Sequence, residues 1–415
     1  MNTIGSGTAP ESRFSARASH FLTAAQALAE ILLARRPADA IVHDHFRKAR
    51  SGSRDRALIS SLVYGVLREI FPLRTLLGTS ASTLDFCVAH ACRAGIKLPP
   101  LRETDPDSLR ATMAAGPELP AAARHNLSDT LWQRLVAQYS EPEASALAMA
   151  LNQEAAVDLR INLLRGTREQ GLARLAADGV EAYATAHAET GVRVGRRLPL
   201  QSLPSYLEGW IEPQDEGSQL LALAMAPKSG ERIADFCAGA GGKTLALGAL
   251  MGNTGELHAF DSSAARLDRM TPRLQRAGLT MVSRHTLESD VTVPPAMIGS
   301  FDAVLVDAPC SGSGTLRRHP ELRLQDPDLL SLAATQAAVL RKAAILVRPG
   351  GRLMYATCSV LAEENEAVTA AFLAKDRRFI AGEMLRLLPH RDGTDGYYAL
   401  MLRRDPAPGA PAARR

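Results

Sequence analysis

The feature that most constrains the fold is a repeated alternation of apolar runs with amphipathic segments between residues 211 and 403. The runs ERIADFC, GELHAFD, FDAVLVDAP and GGRLMYATC have the length of strands, and the segments between them place apolar residues at helical spacing. This alternation predicts an α/β fold, in which a doubly wound parallel sheet is covered by helices on both faces. Ligands of such sheets bind at the carboxyl ends of the strands, so the functional residues should directly follow each strand.

Two regions with different patterns precede the 211–403 region. From 21 to 150, apolar residues recur every three or four positions, which predicts an all-helical domain. From 151 to 210, a strand-like run, a helix with a glycine stop and further strand-like runs predict a small α+β module. The segments 1–20 and 404–415 are rich in Pro, Gly, Ala and Arg without apolar periodicity, and we expect both to be disordered.

Composition and charge exclude several classes of protein. Of the 415 residues, 46% are hydrophobic and 22% are charged, which is typical of a globular protein. The net charge of +4 permits an anionic partner without requiring one. No apolar run is long enough to span a membrane and no signal-peptide pattern is present, so we expect a cytoplasmic protein without a membrane partner. The five cysteines have no C-x-x-C spacing, so we predict neither a disulfide framework nor a metal site.

The first strand of the 211–403 region leads into a glycine-rich turn, DFCAGAGGKT, at Asp235–Thr244. A P-loop would need glycine at position 237, which is Cys237, and a dinucleotide-binding loop would need glycine at position 244, which is Thr244. Gly239 and Gly241 still allow the backbone to approach a ligand closely at the N-terminus of a helix.

The next strand ends at Asp261, about twenty residues after the loop, where a carboxylate can accept hydrogen bonds from two ribose hydroxyls. The loop and this acid together predict a cofactor that contains adenosine. The alternative is a structural turn followed by a helix-capping aspartate.

Two later strands are each followed by a cysteine. VLVDAPCSGSG presents Asp307 and Cys310 on one tight turn, and YATCS contains Cys358. Because neighbouring strand ends meet at one edge of the sheet, we expect both thiols and the carboxylate to face the cofactor. The alternative for either cysteine alone is a small buried hydrophobic residue.

Two thiols and a carboxylate beside a cofactor fit one reaction well. Carbon 5 of a pyrimidine is a poor nucleophile toward a sulfonium methyl group, but a thiolate that adds to carbon 6 makes it enamine-like, and an acid near N3 takes up the developing charge. A base must then remove the carbon-5 proton so that the thiol can leave. Lys243 and the cationic sulfonium can lower the pKa of the attacking thiol.

At these motifs the chain resembles the RsmB/Nop/Sun family of RNA 5-methylcytosine methyltransferases over roughly residues 150–403. DFCAGAGGKT is similar to the first cofactor motif of the family, DAPCSGSGTLRRHPELR to the fourth and YATCSVLAEENE to the sixth. FRKARSGSRDRALISSLVYGVLR resembles the NusB-like helical N-terminal domain of the bacterial branch, and EPQDEGSQL resembles the stretch that enters the catalytic domain. The resemblance implies a class I, Rossmann-like methyltransferase domain at 211–403, a NusB-like RNA-binding domain at 21–150, and S-adenosylmethionine as the cofactor.

The resemblance also implies roles for single residues. Cys358 is implied as the nucleophile that attacks carbon 6, Cys310 as a residue that assists product release, either as the base or as its relay, and Asp307 as the partner of the cytosine. Asp261 is implied to bind the ribose of the cofactor. The other predicted cofactor-binding residues are Cys237, Ala238, Gly239, Ala240, Gly241, Gly242 and Lys243 of the loop, Asp307, and Asp290 for the adenine. The residues expected to bind RNA phosphates are Arg317, Arg318 and His319. One departure is Ala240, where the family commonly has proline.

The sequence therefore predicts an enzyme that methylates carbon 5 of a cytosine in RNA, and the NusB-like segment favours small-subunit (16S) rRNA as the substrate. A tRNA is the alternative, because nothing in the predicted cleft reads sequence, and in either case the target base must be unpaired or extruded. A catalytically inactive rRNA assembly factor should have lost the nucleophile or the glycine loop, and neither is lost. A DNA cytosine methyltransferase needs its nucleophile between proline and glutamine, whereas Cys310 is followed by Ser311. We expect a monomer, since no coiled-coil pattern is visible.

Overall fold

A computed structural model describes residues 15–33, 36–195, 198–287 and 293–406. These residues form two compact units. The helical unit comprises the described residues up to Gln133 together with His319–Gln325. The sheet unit comprises Arg134–Arg318 and the described residues from Asp326 onward.

The helical unit consists of short helices around one apolar core, in which Phe21 and Leu28 pack with Leu62 and Val66. Its first helix begins at Ala18, so three residues of the predicted 1–20 arm are helical, and the unit ends at Gln133 rather than at the predicted boundary of 150. The helices are α1 (Ala18–Leu33), α2 (Ala38–Lys48), α3 (Ser53–Leu67), α4 (Ile70–Leu77), α5 (Thr83–Arg93), α6 (Pro106–Ala114), α7 (Ala121–Arg124) and α8 (Asp129–Tyr139), and the unit boundary falls within α8.

A short segment from late in the chain completes the helical unit. Pro320–Leu324 forms a 3₁₀ helix, and Leu324 packs against the apolar core. Glu321 accepts a hydrogen bond from the backbone N–H of Ala38 at 3.1 Å, and Arg323, which is buried, donates to the backbone oxygen of Asn126 at 3.0 Å. The core of this unit therefore depends on residues that follow Cys310 in sequence.

The small α+β module forms an antiparallel sheet in the strand order β2-β3-β1-β4. Its strands are β1 (Val157–Ile161), β2 (Ala182–Ala184), β3 (Gly191–Val194) and β4 (Ile211–Pro213). The nearby helices are α9 (Glu141–Asn152), α10 (Arg168–Ala177), α11 (Pro204–Leu207) and α12 (Glu216–Ala224). The structure corrects the predicted boundary between 210 and 211, because β4 pairs with β1 through Ile211 and Ile161.

A seven-stranded sheet forms the larger part of the sheet unit, in the order β10-β11-β9-β8-β5-β6-β7. Its strands are β5 (Arg232–Asp235), β6 (Glu256–Asp261), β7 (Val282–Thr286), β8 (Phe301–Asp307), β9 (Val347–Thr357), β10 (Phe379–Leu387) and β11 (Tyr397–Arg404). The predicted α/β class is confirmed, and the strands from β5 to β9 are parallel. β10 and β11 are antiparallel, because a connection of only nine residues, 388–396, is too short for a parallel crossover.

Helices cover both faces of this sheet. The helices here are α13 (Gly242–Leu250), α14 (Ala264–Ala277), α15 (Leu329–Ala344), α16 (Glu366–Lys375) and the short α17 (Pro389–Asp392). Side chains along β8 alternate, as the period of two requires. Val304 and Val306 pack with α15 and α16, whereas Ala303 and Leu305 pack with α12 and α13. Because β5 to β9 are parallel, their carboxyl ends lie along one edge of the sheet, and the predicted site residues directly follow these strand ends.

In the part of the chain that the structure describes, no helix has both the length and the apolar character that crossing a bilayer requires.

Candidate active site

The predicted cofactor loop connects β5 to α13. Gly239 and Gly241 have φ angles of +56° and +90°, a region that residues with a side chain rarely adopt. Within the described ranges of the chain, a Cβ atom at Gly239 would have no atom within 4 Å, whereas one at Gly241 would lie 2.5 Å from Cγ of Met270. The loop therefore borders open space at Gly239 and packs closely at Gly241, where α13 begins.

A buried carboxyl group lies beneath this loop. Asp235 at the end of β5 is 1% exposed, and its Oδ2 accepts a hydrogen bond from the Thr244 hydroxyl at 2.7 Å. Among the residues that the structure describes, none is a hydrogen-bond partner of Asp235 Oδ1. Burial raises the pKa of Asp235 to about 6, against the effect of the Thr244 hydrogen bond. An unpaired buried oxygen beside a helix N-terminus fits a ligand that donates hydrogen bonds.

Asp261, at the end of β6, is tied to the same loop. Its Oδ2 accepts a hydrogen bond from the N–H of Gly239 at 2.9 Å, and its Oδ1 accepts one from the N–H of Ser263 at 2.8 Å. A guanidinium nitrogen of Arg266 lies 3.2 Å from Oδ1. A carboxylate has about four acceptor sites, so Asp261 can still accept a ribose hydroxyl, and its ribose-binding role remains a prediction.

Two arginines bind backbone oxygens of the loop, and sequence reasoning did not identify them. Arg273 of α14 donates to the carbonyl oxygen of Ala240, and Arg160 of β1 donates to that of Gly242 at 3.0 Å. Glu212 of β4 pairs with Arg273 at 2.9 Å. These contacts connect the loop with β1, β4 and α14, which are distant from it in sequence. No local pattern in the sequence could have indicated them.

The two cysteines predicted to share the cleft lie side by side. Cys310 follows β8 and Cys358 follows β9, and these strands are adjacent. Their Sγ atoms are 3.3 Å apart. The hydrogen bond with Cys358 and burial together raise the pKa of the Cys310 thiol well above its usual value. Cys310 therefore holds its proton more tightly than an ordinary cysteine does, and its thiol lies in direct contact with that of Cys358.

A cation and a carboxylate complete the group. Nζ of Lys243 donates to Oδ2 of Asp307 at 2.7 Å. Burial alone would lower the pKa of Lys243, but Asp307, Cys358 and Asp235 raise it, so the amine stays charged. The Lys243 ammonium thus supplies positive charge near the Cys358 thiol.

One further carboxylate joins the two thiol-bearing loops. Glu364 accepts hydrogen bonds from the backbone N–H of Ser311 at 2.8 Å and from the hydroxyls of Ser311 and Ser359, each at 2.5 Å. No sequence pattern distinguishes Glu364 from its neighbour Glu363, and only the structure shows that Glu364 is fully buried.

Cys237 and Asp290 were also predicted to bind the cofactor. Burial raises the pKa of the Cys237 thiol, so Cys237 contributes its backbone to the loop rather than a thiolate. Asp290, predicted to contact the adenine, lies outside the described residues.

Arg317 and Arg318, which were predicted to bind RNA phosphates, pair with carboxylates of the protein. Arg317 donates to Oδ1 of Asp395 at 2.5 Å, and Arg318 donates to Oδ2 of Asp395 at 2.8 Å and to Asp215 at 3.0 Å. Both guanidinium groups bind internal carboxylates, and their contact with RNA phosphates stays a prediction. His319 belongs to the helical unit and lies 3.7 Å from Glu321, and its contact with RNA stays a prediction.

Comparison with known proteins gives consistent matches. The family described as 16S rRNA methyltransferase RsmB/F matches residues 222–403, and the ferredoxin-like domain of RsmF/B-like methyltransferases matches residues 128–201. The second match begins near Gln133, where the helical unit ends, rather than at the predicted boundary of 150.

Single relatives extend the match over most of the chain. Ribosomal RNA small subunit methyltransferase B of Erwinia tasmaniensis is 31% identical over 396 residues, which cover 84% of this chain and 90% of the relative. A crystal structure of a methyltransferase homolog protein from Pyrococcus horikoshii is 28% identical with a TM-score of 0.61, covering 68% of this chain and 96% of that one. The crystal structure of PH0851 has a TM-score of 0.77 over 95% of this chain and all of that one, and at 22% identity it shows the fold alone.

Proposed function

Because the chain belongs to the 16S rRNA methyltransferase RsmB/F family, we propose that it methylates carbon 5 of a cytosine in small-subunit rRNA, with Cys358 as the covalent nucleophile and Cys310 assisting release. Family membership makes the protein an S-adenosylmethionine-dependent RNA methyltransferase. What we propose beyond family membership is that the methylated nucleobase is cytosine, that the methylated atom is carbon 5, and that Cys358 and Cys310 have the roles given above.

The residues at the carboxyl edge of the sheet fit S-adenosylmethionine. In the part of the chain that the structure describes, the loop at Gly239 borders open space, Asp235 offers a buried oxygen without a hydrogen-bond partner, and Asp261 adjoins the loop. We assign the amino-acid end of the cofactor to the loop and Asp235, and the ribose to Asp261. When bound, the cofactor supplies an electrophilic methyl group.

The observation that carries the proposal is the pair of thiols at adjacent strand ends, with Sγ atoms 3.3 Å apart. The Cys358 thiolate forms a bond to carbon 6 as the double bond between carbons 5 and 6 opens, and the electron pair becomes available at carbon 5. A proton that passes from the Lys243 ammonium through Asp307 to N3 neutralises the charge that develops on the ring, and it returns when the thiolate leaves. After methyl transfer, a base removes the carbon-5 proton, the double bond between carbons 5 and 6 re-forms, and the Cys358 thiolate leaves.

Cys310 is placed to act in the second half of the reaction. Its thiol adjoins the bond between Cys358 and carbon 6. Because its raised pKa favours the protonated thiol, Cys310 must pass its own proton to the departing Cys358 sulfur as it accepts the proton from carbon 5. We assign Cys310 to product release, as the base or as its relay. Lys243 acts in the first half by favouring the Cys358 thiolate electrostatically.

The RNA substrate is proposed to be small-subunit rRNA because the curated relative is named for that activity. We also propose that the helical unit is a NusB-like RNA-binding domain and that the protein acts as a cytoplasmic monomer.

The test compares the wild-type protein with the Cys358→Ala, Cys310→Ala and Cys92→Ala variants. Each is incubated with S-adenosylmethionine and with either deproteinised small-subunit rRNA or tRNA, and 5-methylcytosine and gel-stable protein–RNA adduct are measured. We expect Cys358→Ala to lose both product and adduct, and Cys310→Ala to accumulate adduct with little product. Cys92, in α5 of the helical unit, serves as the control and should behave as wild type. Methylation by Cys358→Ala at the wild-type rate contradicts the proposed mechanism, and methylation of tRNA alone contradicts the proposed substrate.

A further inference from the structure

Glu364 is a fully buried carboxylate in the turn that follows Cys358. Its Oε1 accepts hydrogen bonds from the backbone N–H of Ser311 at 2.8 Å and from the side-chain amide of Gln336 at 3.0 Å. Its Oε2 accepts hydrogen bonds from the hydroxyls of Ser311 and Ser359, each at 2.5 Å. Four donors therefore satisfy the carboxylate completely.

Two of the three residues that donate to the Glu364 side chain are the immediate neighbours of the two thiols. Ser311 directly follows Cys310, and Ser359 directly follows Cys358. One side chain thus joins two loops that are far apart in sequence, at the place where the two Sγ atoms come within 3.3 Å.

The two loops depend on Glu364 to different degrees. The Cys358 loop has a second support, since the Asn365 side-chain amide donates to the backbone oxygen of Ser359 at 3.0 Å. In the Cys310 loop, both the backbone N–H and the hydroxyl of Ser311 donate to Glu364. The Cys310 loop also has a second support, because the Gln336 side-chain amide donates to the backbone oxygen of Pro309 at 3.0 Å. Loss of Glu364 still removes two hydrogen bonds from the Cys310 loop and only one from the Cys358 loop, so it should release Cys310 more than Cys358.

Stability alone does not account for a buried carboxylate at this position. Removing a carboxylate from water costs several kcal/mol, and apolar side chains of similar volume often stabilise such sites at least as well. A charged group that accepts four hydrogen bonds is, however, well suited to fixing two loops in one geometry.

We propose that Glu364 is a positioning residue that holds Cys310 against Cys358 through Ser311 and Ser359, and that its loss impairs product release more than covalent attack. The part that concerns release rests on the proposed function. The part that concerns the spacing of the thiols does not.

The first test measures thiol proximity without RNA. The reduced full-length protein is treated with diamide, whose N=N bond takes up one hydrogen from each thiol as the Cys310–Cys358 disulfide forms, and the cross-linked peptide is quantified by mass spectrometry. We expect Glu364→Ala to slow this cross-link at least tenfold and Glu364→Gln, which keeps one acceptor oxygen, to slow it less. Glu363→Ala is the matched control, because Glu363 lies in the same turn, is partly exposed and pairs with Arg134.

A wild-type cross-linking rate in Glu364→Ala overturns the proposal. If Glu364→Ala does not fold, as judged by circular dichroism, Ser311→Ala decides instead, because it removes one of the hydrogen bonds without leaving the carboxylate unsatisfied. A slower cross-link in Ser311→Ala supports the proposal, and an unchanged rate overturns it.

The second test uses S-adenosylmethionine and the RNA that the wild type methylates. We expect Glu364→Ala to keep at least half of the wild-type first-turnover adduct but to lose at least tenfold in steady-state formation of 5-methylcytosine. Equal losses in attack and in turnover overturn the assignment to release. If the wild type forms neither adduct nor product, the proposed function fails, while the diamide experiment still decides whether Glu364 sets the thiol spacing.

Discussion

The ammonium nitrogen of Lys243 lies 2.7 Å from Oδ2 of Asp307, and this contact joins the first turn of α13 to the end of β8. The pair connects the helix that follows the cofactor loop with the carboxylate assigned to the cytosine. It also places a positive charge beside the thiol assigned to attack.

We expect Lys243→Met to lower the first-turnover rate of adduct formation by about 100-fold, because an electrostatic contribution of this kind in a buried site is typically worth that much. Rapid-quench measurement of the adduct on denaturing gels tests this. Lys228→Met is the control, since Lys228 is exposed in the turn before β5. A first-turnover rate in Lys243→Met within threefold of the wild type contradicts the electrostatic role.

The buried carboxyl of Asp235 should make stability depend on pH. Its pKa is about 6 in the folded protein and about 3.9 in an unfolded chain, so between these values the folded state binds more protons. The free energy of unfolding contributed by this group therefore falls as pH rises from about 4 to about 6. We expect Asp235→Asn to remove this decline, which urea unfolding at several pH values can measure. Parallel pH profiles for wild type and variant contradict the shift.

The same carboxyl should also affect binding of the cofactor. Ionised Asp235 attracts the cationic cofactor, so the affinity of the wild type should rise as pH increases through about 6, while that of Asp235→Asn should not. Isothermal titration calorimetry with S-adenosylmethionine between pH 5 and 7 distinguishes these outcomes.

Arg273 should fix the cofactor loop. The loop has Ala240 where the family commonly has proline, and Arg273 restrains the carbonyl oxygen of this residue. We expect Arg273→Met to weaken the binding of S-adenosylmethionine about tenfold, which corresponds to the loss of one hydrogen bond from a charged donor. Arg276→Met is the matched control, because Arg276 also pairs with Glu212 but lies over the ring of Tyr206. Equal losses of affinity in both variants contradict a specific effect on the loop.

The helical unit should weaken when its late segment is altered. Arg323 donates to the backbone oxygens of Asn126 and Pro320. We expect Arg323→Met to destabilise this unit by about 2 kcal/mol, because buried acceptors lose their donor. Hydrogen exchange should become faster in α1 and α3, while exchange in β8 and β9 stays unchanged. Arg348→Met, an exposed site paired with Asp302, is the control. Unchanged exchange in α1 and α3 contradicts the role of the segment.

The site residues that follow strands could be predicted from the sequence. Apolar runs fixed the ends of β8 and β9, and the rule that parallel strands end at one edge predicted the neighbouring thiols, which the structure places 3.3 Å apart. Asp261 and the glycine loop were identified in the same way. These predictions depend only on the order of the strands and helices along the sequence and on the direction of the strands in the sheet.

Contacts between distant charged residues could not be predicted in this way. Arg317 and Arg318 looked like exposed cations, but both pair with Asp395, which lies far along the chain. Glu364 and Glu363 are adjacent and chemically identical in the sequence, and only packing shows that the first is buried. Pairing partners of this kind depend on the complete tertiary structure, which neither periodicity nor spacing encodes.

Because His319–Gln325 belongs to the helical unit, this unit depends for its folding during translation on a segment that is synthesised late. On the ribosome, the N-terminal helices are synthesised early, but the segment that carries Arg323 and Leu324 appears only after β8 has been made. Domains generally fold as units during synthesis, beginning from the N-terminus. Here the first unit to be translated cannot be completed until the thiol loop that follows β8 has emerged, so its final folding step should occur late in synthesis.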